Sequence, residues 1–218
     1  MSDWLTWQVV DSAFPTGAFA HSYGLEAAWQ QGEVDGIGAL QGFLEAVILQ
    51  TGYATLPLLN AAYLDPAELE TLDALADAFL LNTVANRASR IQGRTFAATA
   101  ARIWPSDGMT ALRHRVEPGP GHVAPVSGAA MRAIGLSLDA SQRVALFGAA
   151  RGVLTAAVRL GIIGSYEAQR LQHRVSPWLD TVAAQCAALT PDDLAQTSPL
   201  VDLWQAAHDR LYSRLFQS

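Results

Sequence analysis

The chain has 218 residues, 50% hydrophobic and 16% charged, with a formal charge of −6 from 20 acidic and 14 basic side chains. That balance supplies apolar side chain for a sizeable core and no basic field for phosphates or anionic lipid, which argues against nucleic-acid and membrane-surface binding. Every basic residue is an arginine, so a GxxxxGK[ST] phosphate loop and lysine Schiff-base chemistry are both excluded.

The opening residues show no basic stretch leading into an apolar run, and no segment approaches the roughly 18 unbroken apolar residues of a membrane span. With Cys186 as the single cysteine, the expectation is a cytoplasmic chain in a reducing compartment. From Asp11 to Glu26 runs a loop dense in aromatics, glycine and proline, entering a helix near Ser22. Pro15, Gly17 and Gly24 fix its path, and Phe14, Phe19 and Tyr23 are costly to leave in water. A packed core loop and a partner surface are both open readings of Phe14, Pro15, Phe19, His21 and Tyr23.

Asp65-Pro66-Ala67-Glu68 has the pattern of a capping box with proline at the first helical position. Leu69, Leu72, Leu75, Ala76, Phe79 and Leu80 then recur at three- and four-residue steps, which predicts one buried stripe. The chain is irregular around residues 104–108 and again from Glu117 to Pro125, and the second stretch, rich in Gly and Pro, is the best candidate for a mobile loop. A second capping box, Asp139 to Gln142, opens a long apolar helix that Gly161 should stop. Ser176-Pro177, Thr190-Pro191 and Ser198-Pro199 each pair a cap residue with proline and mark further helix starts. In the last segment Trp204, His208, Leu211 and Leu215 share one helical face, with Leu203, Arg210 and Arg214 on another. Large apolar residues near a terminus need cover, so this helix either docks on its own core or inserts into another protein. Strand alternation is scarce, and the fold expected is all-α: a single helical domain over residues 1–218 with roughly ten helices.

No motif carries an obvious active site. His21, His114, His122, His173 and His208 are the candidate ligands or bases, with no HExxH and no pair at four-residue spacing. Cys186 sits among alanines as a small residue at a helix contact, and there is no GxSxG elbow. This predicts no catalytic residue, no cofactor and no tight protein-only metal site. The enzyme alternative is a helical hydrolase using His21 or His122 with carboxylates. A third possibility is a chaperone that holds a metal ion itself.

The stretch SAFPTGAFAHSYGLE, with Gly32-Glu33-Val34 after it, resembles the most recognisable signature of the UreF family of urease accessory proteins. Asn86 to Arg94, Gly121-His122-Val123, Arg159-Leu160-Gly161 and the ending HDRLYSRLFQS are similar to later blocks of that family, in order, over nearly the whole chain. Ser165, Ala168 and Asn86 depart from its pattern. The resemblance implies an all-helical assembly factor, homodimeric within its complex. It would bridge a UreD (UreH) scaffold and the nickel-carrying UreG GTPase, and help to pass nickel to apo-urease, in part along an internal route. By the same resemblance, His208, Arg210, Arg214 and Phe216 are candidates for the UreD-type contact. The Phe14 to Tyr23 loop is the candidate for the dimer or GTPase surface.

Overall fold

Helix-forming alanine and leucine at three- and four-residue spacing govern nearly every segment, and the chain follows them. A computed structural model describes residues 3–218 and shows eleven α-helices joined by short loops and 3₁₀ turns, with no strand among the described residues. Around α9 (Leu138–Arg159) pack α3 (Ile37–Ala54) and α10 (Ser165–Cys186), with α1 (Asp3–Val10) and α2 (Leu25–Gln30) at its side. Around α8 (Val123–Ala133) pack α4 (Leu56–Leu64), α5 (Leu69–Phe79), α6 (Thr83–Ile103) and α7 (Asp107–Val116). The last helix, α11 (Pro199–Ala207), lies against α2 and α6. The stretch Ile37–Leu64 has the length and apolarity of a membrane span, but half of its most apolar window is buried, as in a core helix.

The first core, between α3, α9 and α10, is built on Leu44, Ile48, Leu146, Val153, Leu171 and Val182. A second joins Phe14 to Phe96, Met109, Val126 and Met131, and a third gathers Leu58, Ala62, Leu72, Ala76 and Ala124. Between them lies a cavity of about 280 Å³ whose wall includes Val47, Leu58, Phe96, Met131, Gln92 and His122.

The α4–α8 crossing depends on a missing side chain. A Cβ on Gly128 would lie 2.2 Å from the Leu59 carbonyl oxygen, which is backbone and cannot step aside. Gly128→Ala is therefore expected to destabilise the fold by about 1–3 kcal/mol, read as a lower urea midpoint at unchanged slope.

Several sequence expectations hold. Asp65 caps by accepting from the Ala67 N–H at 3.0 Å, Gly161 follows the end of α9, and Pro199 opens α11. Others shift. Asp65 begins a 3₁₀ turn over Pro66–Glu68, so α5 starts at Leu69, and along it Leu75 is exposed while Leu69, Leu72 and Ala76 are buried. Ser137, rather than Asp139, caps α9, accepting from the Ala140 N–H at 3.2 Å. Asp139 instead pairs with Arg143 one turn on, while Gln142 is buried and donates to Asn60 Oδ1 at 2.7 Å.

Ser176-Pro177 is not a helix start. Helix α10 runs through Pro177 because Leu171, Val175, Val182 and Cys186 are all buried in the first core. That burial outweighs the one backbone hydrogen bond proline removes. Thr190-Pro191 yields only a 3₁₀ turn, Pro191–Asp193. Nor is the Gly/Pro-rich stretch loose: the buried carboxylate of Asp73 accepts the N–H groups of Gly121 and His122, both at 2.7 Å, and α8 begins at once with Val123. Cys186 faces Gly52, whose Cβ would meet its Sγ at 2.9 Å, and burial pushes its thiol pKa up, away from a reactive thiolate.

Candidate functional site

The two segments that stood out in the sequence meet. Between α1 and α2 the chain makes a loop, with a 3₁₀ turn at Ala18–Ala20, that ends in two consecutive residues of positive φ, Tyr23 at 58° and Gly24 at 84°. A side chain at Gly24 would lie 2.8 Å from the backbone nitrogen of Gln205, so glycine lets the loop press directly on α11. The turn aims α2 so that Glu26 enters the interior. It is 2% exposed, surrounded by Leu25, Ala27 and Ala28, which are fully buried.

Glu26 organises the C-terminal segment. Helix α11 stops at Ala207, a 3₁₀ turn covers His208–Arg210, and the chain then runs irregularly to Ser218, so the helical face expected for Leu211 and Leu215 does not form. Its place is taken by bonds to distant residues. Glu26 accepts from the Leu215 N–H at 2.6 Å and the Phe216 N–H at 3.2 Å, and its Oε2 lies 3.1 Å from His208 Nε2. The Gln217 N–H donates to the Ala20 carbonyl at 2.8 Å. The Ser218 carbonyl accepts from the Ser22 N–H at 2.6 Å and the Ser22 hydroxyl at 3.0 Å. Ser218 Oγ is joined to His21 Nδ1 at 2.5 Å. Residues 208–218 thus close the loop over residues 20–26.

Of the candidate residues, Phe14 is buried and stacks on Trp104 with centroids 5.6 Å apart, and the Pro15 carbonyl accepts from the Thr99 hydroxyl. His21, His208 and Phe216 are buried, and Tyr23 lies half-buried with its ring against Gly152. Phe19 is exposed but shares a cation with Phe216: the Arg159 guanidinium carbon is 4.0 Å from one ring centroid and 4.2 Å from the other. Arg210 and Arg214 face solvent, with Arg214 3.3 Å from Asp209. Asp209 in turn accepts from both terminal nitrogens of Arg87 on α6.

Three contributors were not singled out in the sequence: Glu26, Arg159 and Arg87. Glu26 carries a readable signal, a lone carboxylate in the apolar run Leu25 to Trp29, whereas the partners of Arg159 and Arg87 are set by packing alone. Electrostatically the site is tight. Burial, reinforced by the charges of His208 and Arg87, pushes the His21 pKa down to about 4. Among the described residues, His21 Nε2 and His208 Nδ1 are buried without a hydrogen-bond partner.

A second node surrounds His122, which is fully buried. Its Nδ1 lies 3.1 Å from Ser89 Oγ and its Nε2 3.1 Å from Asp77 Oδ1. Ser89 Oγ also accepts from the Val123 N–H at 3.3 Å. These bonds lash α5 and α6 to the first turn of α8. Among the described residues no three His, Cys, Asp or Glu side chains converge as metal ligands.

The UreF family model matches residues 34–176. The chain is similar to urease accessory protein F of Arabidopsis thaliana, 36% identical over 99% of this chain and 92% of that one. It is similar to urease accessory protein F of Oryza sativa subsp. japonica, 35% identical over 98% and 84%, and to urease accessory protein UreF of Arthrobacter sp. (strain FB24), 30% identical over 97% and 95%.

Proposed function

The chain belongs to the UreF family of urease accessory proteins, which gives it a role in urease maturation, and from that premise we propose that it is a non-enzymatic bridging scaffold. In this reading it joins a UreD (UreH) scaffold to the UreG GTPase, acts as a homodimer in the cytoplasm, and helps hand nickel to apo-urease as cargo. The observation that carries the reading is the division of labour in the C-terminal segment. Glu26, His21, His208 and Phe216 hold it from beneath, and Arg210, Tyr212, Arg214 and Leu215 stand outward on it. Tyrosine and arginine on a fixed backbone have the character of interface anchors.

Deleting residues 208–218 would not test this contact, because the same residues complete the fold. Arg210→Glu with Tyr212→Ser alters only exposed side chains. With a UreD-type partner it is expected to weaken association at least about tenfold by calorimetry, at unchanged thermal stability. Unchanged affinity would remove the tail from the interface.

A hydrolase is the second reading, favoured by the Ser89–His122–Asp77 relay. Its bonds to three helices support a structural role instead. Labelling of Ser89 by a fluorophosphonate, abolished in His122→Ala, would support the enzyme.

A further inference from the structure

The outer side of α6 carries a cleft of about 700 Å³ that the bridging role above does not use. Arg87, Arg90, Ile91 and Arg94 occupy one helical face, and Asp77 and Leu81 complete the wall. Three arginines against Asp77 and the Asp209 carboxylate that Arg87 already holds leave the patch net positive on a chain of net charge −6. It is also greasy: Leu81 is 86% exposed and Ile91 43%.

The polar groups are unevenly spent. Asp77 already accepts from Asn86 and is bonded to His122, and Arg94 donates to the Gly119 carbonyl at 2.6 Å. Arg87 shows how the patch takes a carboxylate, holding Asp209 through both of its terminal nitrogens. Arg90 makes no hydrogen bond among the described residues, and its charge acts on the nearby Asp77 carboxylate. A guanidinium with idle donors beside two exposed aliphatic side chains matches a carboxylate and an apolar side chain on one partner. A phosphate or nucleic acid would engage the arginines and leave Leu81 and Ile91 in water.

We propose that the α6 cleft is a docking site for an acidic protein segment that seats carboxylates on Arg90 and Arg94 and one aliphatic side chain between Leu81 and Ile91. The site borders the tail, which Arg87 holds through Asp209, but among the described residues Arg90 and Arg94 make no bond to the tail.

A fluorescein-labelled peptide of repeated Leu-Glu-Glu serves as probe, read by anisotropy against the full chain at low salt. Binding is expected to weaken as salt rises, and to fall at least about tenfold in Arg90→Glu and again in Ile91→Asp. Ile91 is exposed and Arg90 half-buried, and unchanged circular dichroism would show the fold intact. Failure of the peptide to bind, or equal binding by Arg90→Glu, would overturn the site. Equal binding of a Ser-Glu-Glu peptide or of inorganic polyphosphate would overturn it in favour of a simple anion patch.

Discussion

Glu26→Ala is expected to lower the unfolding free energy by about 3–5 kcal/mol. The carboxylate is 2% exposed, and no other side chain can replace it as the partner of the Leu215 and Phe216 N–H groups and of His208. Alanine leaves these donors buried with nothing to accept them. His208 fares worst, because its Nδ1 has no partner among the described residues even when Glu26 is present. The chain can relieve the penalty only by lifting residues 208–218 into water, which also uncovers Phe216 and the aromatic sandwich on Arg159. Two readouts should therefore move together: the denaturation midpoint falls, and the segment after Ala207 becomes sensitive to protease. Glu26→Gln keeps an acceptor and the shape, so its loss should be smaller. A Glu26→Ala protein as stable and protease-resistant as the parent would show that the carboxylate does not hold the tail.

Other links to the tail are weaker for a stated reason. The Arg87–Asp209 pair is 48% and 40% exposed at its two side chains, so water competes for both ends and the pair contributes about 1 kcal/mol or less. The cation between Phe19 and Phe216 adds about 2 kcal/mol at its buried ring. Glu26 is the position at which the proposed tail contact and stability are hardest to separate, so variants that test that contact are best confined to Arg210, Tyr212 and Arg214.

What was legible in the sequence is what short-range chemistry decides. Asp65 and Pro199 mark helix starts because a cap or a proline acts on its own neighbours, and the all-helical class follows from periodicity summed over the chain. Where a local signal met burial, burial won: Pro177 sits inside α10, and Gln142, expected to close a capping box with Asp139, is buried and donates to Asn60. Of the candidate site, the two segments were legible, but not the roles of Glu26, Arg87 and Arg159 nor the joinery between them. The loop from Asp11 and the final segment both stood out by composition, but the bonds from Glu26 to Leu215 and from Ser22 to Ser218 span nearly the whole chain. No spacing rule reaches that far. For the same reason the helical face drawn through His208, Leu211 and Leu215 dissolves: distant acceptors outbid the next helical turn.

Acid should weaken this closure through His21. Its pKa is pushed from 6.5 to about 4 by burial first, and then by the charges of His208 and Arg87. The folded protein therefore resists a proton that the unfolded chain accepts readily. The contribution to stability is complete above about pH 6.5, is lost progressively as the pH falls, and levels off near pH 4, where the folded state also binds the proton. At about 1.4 kcal/mol per unit, the parent should lose roughly 2 kcal/mol between pH 7.5 and 5 through this group alone. Carboxylates titrate in the same range, so the decisive quantity is a difference. His21→Asn retains a polar partner for Ser218 Oγ and cannot titrate. Its stability should start below the parent's at pH 7.5, and the gap should narrow by that amount at pH 5 in urea denaturation. Parallel curves for the two proteins would mean that His21 carries its proton equally well in the folded state, and that the loop and tail are not closed around a neutral imidazole.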